Sequence, residues 1–439
     1  MIVGLLLIVL AATSVLPLDI KVARAQRISA PLWARTFGAM GVDSAGVVRQ
    51  TLDGGFIIAG YTTSFGMGSA DVWILKLDPS GSIVWQRTYG GPGADLPSSI
   101  IVTPDGGFVV AGTTEVLGNS HAWMFKLDPT GNVLWQKAYG GSFGGIDGFS
   151  LQKTADGGFI LSGDFVFKLD DRGNIVWQRK YGAIIDSAQQ ALDGGFILLG
   201  NIFSIGADGG DASVTKVDST GNIVWQRAYG GSGDDHAYSI EPSVDGGFVV
   251  AGSSNSFSGG FRDAWVFKLS SSGNIEWQRA FGGRTPGAFS EAYDIRQTLD
   301  QGFIVAGYTS GFGAGLNDGW LLKLDGGGNI SWQRTFGGSG YDVLGSVDQT
   351  SDGGFVAAGY MQVEPVASQN IDALVLRLDP DGSIPHCHIM GSSDAAVTVT
   401  NATVTTISQI ASNTTASATN TSATVTTTTA MSRIQCFQP

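Results

Sequence analysis

The stretch DGGFVVAGSSNSFSGGFRDAWVFKLSSSGNIEWQRAFGG, residues 245–283, is one copy of a unit that recurs along the chain. The copies are separated by 52, 51, 37, 52, 55 and 52 residues. A period in this range indicates a fold assembled from repeated supersecondary units. The opening tetrad, Asp-Gly-Gly-Phe or once Asp-Gln-Gly-Phe, begins at Asp53, Asp105, Asp156, Asp193, Asp245, Asp300 and Asp352.

Each unit contains four short runs of apolar, β-branched and aromatic residues, which we name strands A to D in chain order. In the quoted copy and the residues just before it, they read AYSIEPS, GFVVAGS, AWVFKLS and NIEWQRAF. Gly, Asp, Asn and Ser separate the runs, as they do where strands are joined by tight turns. Four antiparallel strands per unit are typical of a propeller blade. The sequence therefore predicts an all-β, seven-bladed β-propeller.

The unit that begins at Asp156 is shorter than the others. It lacks residues between strands B and C and between strand D and the next strand A. In a four-stranded meander these two connections emerge on the same face, which we call the loop rim. Both deletions fall on that rim and leave the strands intact, as expected of a propeller.

The seventh unit lacks its own strand D. Residues 382–387 read GSIPHC where other units read, for example, GNIVWQ, and Pro385 cannot donate a hydrogen bond to a ladder. Residues 29–38, SAPLWARTFG, align instead with GSIVWQRTYG and place Trp33 at the tryptophan position. We expect the last blade to take strands A to C from the C-terminal side and strand D from the N-terminal side, which closes the ring without an open edge.

A tryptophan occupies the same position in every strand D. We expect these rings to pack between blades as structural residues, and stacking on a ligand is the alternative. The tryptophans are Trp33, Trp85, Trp135, Trp177, Trp225, Trp277 and Trp332.

The two ends of the chain differ in composition from the repeats. An apolar run ending near Leu16 and the spacing Ala23-Arg24-Ala25 predict a signal peptide over residues 1–25, with an N-terminal membrane anchor as the alternative. The propeller is expected over residues 26–388 and a Thr/Ser-rich tail over residues 389–439. We expect the protein to be secreted or attached to the cell surface.

The tail is a low-complexity segment with three glycosylation sequons, at Asn401, Asn413 and Asn420. It is expected to form an extended, glycosylated stalk; the alternative is self-association by strand addition to another subunit. Cys387 and Cys436 are expected to form a disulfide in an oxidising compartment. The alternative for the His386-Cys387-His388 cluster is a metal site.

Acidic residues recur at two positions on the loop rim. One set precedes strand A (Asp43, Asp95, Asp235 and Asp342, with Asp147 and Glu291 one residue later in register), and the other begins strand C (Asp71, Asp164, Asp211, Asp263, Asp318 and Asp372, with His121 in the remaining blade). These carboxylates are expected either to cap loop amides within each blade or to bind Ca²⁺, which takes several oxygen ligands. No other cofactor is predicted.

The repeat motif carries a resemblance to a known group of proteins. From Trp33 to Cys387 the chain resembles the secreted bacterial and archaeal propeller-repeat proteins built from DGGF…KLDxxGNxxWQRxYGG units. That resemblance implies the fold and an extracellular location, and no defined reaction. The turn before each Trp is also similar to the tryptophan-docking motif of quinoprotein propellers. The longer Asp-to-Trp spacing, eight blades and vicinal cysteines of that group are not found here, which argues against a quinone.

Charge and residue usage limit the functions that the chain can have. A net charge of −13 argues against nucleic acid as a partner and permits cations or basic proteins. The 4 histidines show no spacing typical of a catalytic triad. The sequence therefore favours a non-catalytic extracellular module that binds protein or glycan or has a structural role. The alternative is a polysaccharide lyase or hydrolase that uses rim carboxylates. An enzyme is expected to break the repeat in the central funnel, whereas the units look regular.

Overall fold

A computed structural model describes residues 31–116, 119–139, 150–203, 209–257, 261–283, 287–363 and 370–391, together with short segments of the tail at 396–399, 403–406, 412–413, 418–420, 424–427 and 431–438. These residues form β-strands joined by turns and loops. No helix among them has the length and apolarity needed to cross a membrane.

The strands of the first three complete blades follow an N-terminal strand. They are β1 (Leu32–Gly38); β2 (Asp43–Gln50), β3 (Phe56–Thr62), β4 (Asp71–Leu77) and β5 (Ile83–Gly90); β6 (Asp95–Val102), β7 (Phe108–Val116), β8 (Asn119–Leu127) and β9 (Val133–Tyr139); and β10 (Leu151–Lys153), β11 (Phe159–Leu161), β12 (Val166–Leu169) and β13 (Ile175–Lys180).

The remaining blades follow the same order. Their strands are β14 (Ile185–Gln190), β15 (Phe196–Phe203), β16 (Gly210–Val217) and β17 (Ile223–Gly230); β18 (Asp235–Pro242), β19 (Phe248–Ser254), β20 (Asp263–Leu269) and β21 (Ile275–Gly282); β22 (Ser290–Gln297), β23 (Phe303–Thr309), β24 (Asp318–Leu324) and β25 (Ile330–Phe336); and β26 (Asp342–Gln349), β27 (Phe355–Gln362) and β28 (Ile371–Leu378).

The seven-bladed, all-β propeller predicted from the repeat is confirmed. Each sheet contains an antiparallel A–B–C–D meander, and we number the blades 1 to 7 from β2. In blade 7 the order is β26-β27-β28-β1, and Trp33 of β1 lies opposite Arg377 of β28. The N-terminal strand therefore completes the last blade, as the alignment of residues 29–38 predicts.

The repeated Trp and Phe residues contact each other across the blade boundaries. The indole N–H of Trp33 donates to the carbonyl of Pro79 in the C–D turn of blade 1, at 3.2 Å, and its ring lies 5.7 Å from that of Phe56. Trp85 repeats both contacts one blade later, with the carbonyl of Pro129 and the ring of Phe108. The strand D tryptophan of one blade and the tetrad phenylalanine of the next blade therefore form the two sides of one interface between blades.

The first Asp of each tetrad forms an ion pair with a basic residue of strand C in the same blade. The ammonium of Lys76 lies 2.8 Å from Asp53, and that of Lys126 lies 2.6 Å from Asp105. In blade 7 the partner is Arg377. Since Lys76 is buried and Asp53 is largely exposed, this pair ties a buried cation to a surface turn, whereas Lys126 is partly exposed. The pairs are Lys76–Asp53, Lys126–Asp105, Lys168–Asp156, Lys216–Asp193, Lys268–Asp245, Lys323–Asp300 and Arg377–Asp352.

These ion pairs predict acid sensitivity. Hydrogen bonds from Lys126 and Thr103 lower the pKa of Asp105 to about 2. Because a carboxyl with a depressed pKa stabilises the folded state only while it is ionised, this contribution is present above about pH 4 and is lost as the pH falls towards about 2. We expect the melting temperature, measured by circular dichroism, to drop over that interval. Asp105→Asn should lower it at neutral pH and flatten the acid dependence, and an unchanged acid profile in this variant would contradict the prediction.

The C-terminal tail adds a fifth strand to every blade. Its strands are β29 (Met390–Gly391), β30 (Ala396–Val399), β31 (Thr403–Thr406), β32 (Ser412–Asn413), β33 (Ala418–Asn420), β34 (Thr424–Thr427) and β35 (Met431–Gln438). They pair antiparallel with the D strands of blades 6, 5, 4, 3, 2, 1 and 7 in that order. The expected stalk is therefore wrong for these described strands, which form what we call the belt around the ring.

The belt advances by seven residues per blade. The residue before the last aromatic of each D strand pairs with one belt residue, for example Thr335 with Gly391 and Ala280 with Thr398. The seven belt residues in this register are Gly391, Thr398, Thr405, Ser412, Thr419, Thr426 and Arg433. Because the step is constant, each D-strand edge pairs with one seven-residue repeat of the tail. The spacing of the belt strands therefore equals the spacing of the blades.

A disulfide closes the belt. Cys387, at the start of the tail, bonds to Cys436 in β35, as the sequence predicts. The intervening chain has a sequence separation of 49. At about 3.3 Å per residue that length is about 160 Å, enough to encircle a disc roughly 50 Å across. The belt and the disulfide together form a covalent loop around the propeller.

Candidate functional site

The carboxylates that precede strand A are buried at the loop rim. Asp43, Asp95, Asp235 and Asp342 are each 0% exposed. Each accepts a hydrogen bond from the backbone amide four residues earlier, at 2.7–2.8 Å, as Ala39 donates to Asp43 and Gly91 to Asp95. Hydroxyls of the B–C connection complete the shell, since Ser64 donates to Asp43 and Ser256 to Asp235. These hydrogen bonds hold the D–A loops in their folded conformation.

The acids that begin strand C have an equivalent role in the B–C loops. Asp71 accepts the amides of Met67 and Gly68 at 3.1 and 3.0 Å, and Asp318 accepts those of Ala314 and Gly315. Both carboxylates are 2% exposed. This is the amide-capping arrangement that the sequence leaves open as one of two interpretations.

The two rows of acids meet at a glycine that ends strand D. A Cβ on Gly90 would lie 2.5 Å from Asp71 Oδ1 and 2.6 Å from Asp95 Oδ2. A side chain at this position would therefore displace one carboxylate, which explains the Gly after the aromatic in the repeat. Burial and the nearby Asp95 raise the pKa of Asp71. The acid that begins strand C of one blade therefore lies beside the acid that precedes strand A of the next, as Asp71 lies beside Asp95.

Asp263, like Asp164 and Asp211, differs from the buried rim acids. It is half-buried, and burial raises its pKa to about 6. Its neighbouring residues 258–260 lie outside the described part of the chain, as does Asp147. Within the described ranges, no group of three His, Cys, Asp or Glu side chains is placed to hold a metal ion. A rim Ca²⁺ site stays a prediction.

The central channel is lined by the inner A strands of all seven blades and contains a cavity of about 190 Å³. Five blades contribute a serine at the same strand position, and we call these residues the serine floor: Ser99, Ser150, Ser187, Ser239 and Ser346. Blade 6 instead places Asp294 there. Its carboxylate accepts the hydroxyls of Ser239 and Ser346, each at 3.3 Å, and the amide of Val347 at 3.1 Å.

Charged side chains lie below the serine floor, two residues further along strand A. Arg296 donates to Glu241 at 3.1 Å and lies 3.4 Å from Asp294. Arg49 donates to the carbonyl of Val48 at 2.7 Å and to Ser346 at 3.4 Å. Burial raises the pKa of Glu241. Ion pairs and hydrogen bonds link four blades across this end of the channel.

Five tyrosines cluster on one side of the ring, and two of them, Tyr238 and Tyr293, line the cavity. Tyr61, Tyr308 and Tyr360 occupy the same position near the end of strand B in blades 1, 6 and 7. Tyr238 and Tyr293 come from the A strands of blades 5 and 6. We call these five half-buried residues the tyrosine arc. Rings of Tyr238 and Tyr293 lie 5.2 Å apart, and those of Tyr293 and Tyr308 lie 5.8 Å apart.

A buried carboxylate anchors the arc. Glu291 accepts the phenol of Tyr238 at 3.2 Å and pairs with Arg262 at 3.0 Å. Burial, followed by the charge of Glu291, raises the pKa of Tyr308 to about 12. The phenols therefore stay protonated at physiological pH and act as neutral hydrogen-bonding groups.

The funnel contradicts the expectation of regular units. In blades 2, 4 and 5 the strand B position of the arc holds Thr113, Asn201 and Ser253, whereas strand B of blade 3 ends before it, at Leu161. The difference is visible in an alignment of the units, but sequence alone does not reveal that Tyr308 at this position lies beside Tyr293.

Two of the remaining sequence-predicted sites lie in the belt. Asn413 is in β32 and Asn420 is in β33, whereas Asn401 lies outside the described residues. Glycosylation stays a prediction.

Six of the D-strand tryptophans are half-buried, and Trp33 is fully buried.

Comparison with known proteins gives one family match. The model of the family described as outer membrane protein assembly factor BamB matches residues 70–306, a little more than half of the 439-residue chain. No curated protein shows significant similarity to the sequence.

Solved structures with related architecture are distant in sequence. Sqt1 from Chaetomium thermophilum is 12% identical with a TM-score of 0.42, over 78% of this chain and 99% of that one. A Dyadobacter fermentans protein of unknown function is 12% identical with a TM-score of 0.43, over 79% and 98%. A Bacteroides caccae protein, also of unknown function, is 13% identical with a TM-score of 0.36, over 56% and 93%.

Proposed function

The chain belongs to the family described as outer membrane protein assembly factor BamB, and from this premise we propose that it is a non-catalytic binding or structural scaffold of the cell surface. Its partner is an extracellular protein or glycan. One observation carries the proposal: the four acids Asp43, Asp95, Asp235 and Asp342, which are candidates for catalysis at the rim, are buried and accept hydrogen bonds from loop amides.

The funnel supports binding more than chemistry. A general acid or base works best when its pKa lies near the operating pH and it can reach the substrate. Glu291 is 6% exposed and paired with Arg262, and Asp294 is 6% exposed and hydrogen bonded to serines. The pKa of Tyr308 is raised rather than lowered. The tyrosines and serines of the funnel present neutral aromatic and hydroxyl groups to a ligand.

The second candidate is an enzyme acting on extracellular polysaccharide. Asp263 favours it, because a half-buried carboxyl with a pKa of about 6 is suited to proton transfer. However, the paired acids of a glycosidase both need access to the scissile bond. Asp235 and Glu291, the acids that precede strand A in the same blade and in the next, are 0% and 6% exposed, so neither is an accessible partner for Asp263.

A turnover assay separates the two candidates. The purified full-length chain is incubated with extracellular polysaccharides, and new reducing ends and unsaturated uronate are measured. We expect no turnover, together with saturable binding of the labelled protein to isolated cell-envelope material. Turnover that is abolished by Asp263→Asn, but retained in the matched variant Asp164→Asn, would overturn the scaffold proposal.

The same preparation tests rim Ca²⁺. Melting curves are recorded after EDTA dialysis and again after Ca²⁺ is restored. A reversible loss of stability that disappears in Asp235→Asn would support a rim cation. Equal melting temperatures with and without Ca²⁺ would assign the rim acids to amide capping alone.

A further inference from the structure

We propose that the tyrosine arc and the serine floor form a binding site for the terminal sugar of a neutral glycan. This inference rests on the binding function proposed above and assigns it a place and a ligand class. The site lies on the propeller axis, where the A strands of all seven blades meet.

The first argument is that the fold does not require the arc. Three blades carry Tyr at its strand B position, whereas blades 2, 4 and 5 carry Thr, Asn and Ser there and form the same meander. The tyrosines are also adjacent in space rather than scattered, since they come from consecutive blades 5, 6, 7 and 1. A structural need would recur in every blade, so the clustering indicates a need at one place in the ring.

The second argument is the chemical contrast between the wall and the floor. The arc offers ring surfaces at centroid spacings of 5.2 and 5.8 Å. The floor offers hydroxyl groups from five blades. A sugar ring has the same two kinds of surface, C–H groups on its faces and hydroxyls around its edge. It would therefore cover the tyrosine rings and exchange hydrogen bonds with the phenols and serines, leaving few buried polar groups unpaired.

The third argument is the charge of the wall. Of the two cations that line the cavity, Arg296 is paired with Glu241 and Asp294, and Arg49 donates to the carbonyl of Val48 and to Ser346. Beside the arc, Arg262 is paired with Glu291 at 3.0 Å. An anionic ligand would have to displace these ion pairs and hydrogen bonds. The wall therefore favours a neutral ligand over a uronate, sulfate or phosphate.

The fourth argument is size. A cavity of about 190 Å³ is smaller than the roughly 300–1,000 Å³ typical of pockets for drug-sized molecules. Such a space admits one ring at the end of a chain, while the rest of the glycan remains outside the funnel. A chain end is also the part of a surface polymer that can approach along the propeller axis.

The experiment uses the full-length disulfide-bonded protein and an array of neutral hexose and N-acetylhexosamine oligosaccharides. Acidic oligosaccharides and choline serve as anionic and cationic probes. Affinities of the hits are measured by calorimetry at low and high salt. We expect neutral oligosaccharides to bind with little salt dependence, and Tyr293→Ala to weaken binding by about tenfold or more.

Two further variants keep the test interpretable. Tyr238→Ala removes the other arc ring that lines the cavity and should also weaken binding, in case Tyr293→Ala disturbs the fold. Tyr341→Ala is the matched control, because this tyrosine is 47% exposed and does not line the cavity. Melting curves verify that each variant is folded.

Each result of this experiment either supports or overturns the proposal. Neutral sugar binding lost in both arc variants and retained in Tyr341→Ala supports the proposal. Binding of choline alone, salt-sensitive binding of acidic sugars alone, or no neutral sugar binding overturns it. Absence of sugar binding without polysaccharide turnover leaves the scaffold function in place with a protein partner, whereas turnover removes that function as well.

Discussion

A chain that lacks residues 26–38 will melt at a much lower temperature than the full-length protein. The deletion removes β1, which lies between β28 and β35 in blade 7. It therefore breaks two ladders, opens the ring and leaves two unpaired strand edges. Trp33 is 0% exposed, and truncating such a residue alone costs about 3–5 kcal/mol. Chemical denaturation followed by tryptophan fluorescence measures the loss.

A shorter deletion of residues 26–29 is the control, since it spares β1. Trp33→Ala can also be compared with Trp85→Ala, which removes the same kind of contact between two covalently continuous blades. We expect Trp33→Ala to be the more destabilising, because Trp33 is fully buried whereas Trp85 is half-buried. Equal stability of the full-length and truncated chains would show that the ring does not depend on its N-terminal strand.

The second large effect is expected from Cys436→Ser. By the chain-entropy model, a disulfide that closes a loop of about 50 residues stabilises the protein by about 4 kcal/mol, provided that the loop is ordered in the folded state. Loss of the bond also frees β35 to separate from β1. We expect a marked decrease in the free energy of unfolding, measured by denaturant titration without reductant.

Cys387→Ser and the double variant are the matched controls. Because both cysteines belong to one bond, the double variant should be no less stable than either single variant, and the effects should not add. Reductant should destabilise the wild type and leave the variants unchanged. Wild-type stability in Cys436→Ser would mean that the disulfide adds nothing to the closed belt.

The repeat made the propeller predictable because its blade contacts are local or lie between neighbouring units. The closure of the ring was predictable for the same reason. The last unit has GSIPHC where a strand D motif is expected, and the residues around Trp33 form an additional strand D motif before the first unit. The belt was not predictable in this way. Its alternating Thr, Val and Ala residues have weak strand character of their own, and their ladder partners lie as far as 406 residues away, as for Gln438 with Leu32. Only the ring supplies the edges on which those residues become strands.

The candidate site divides along similar lines. Rim acids such as Asp43 and Asp71 could be placed on one face from their positions in the loops, and amide capping was one of two interpretations. The tyrosine arc could not be predicted from the repeat motifs, because its residues lie between those motifs. Tyr61 and Tyr308 share a repeat position, but the contact of Tyr308 with Tyr293, which comes from a different repeat position, depends on the folded blade.

The step of seven residues per blade ties the length of the tail to the number of repeats. Repeat genes gain and lose copies by recombination, and an eighth blade would fold as readily as the other seven. In this chain such a duplication would leave the tail one step too short to bring Cys436 back to Cys387, and a deletion would leave slack. The number of blades and the length of the tail are therefore coupled in this fold, and a change in one would require a matching change in the other.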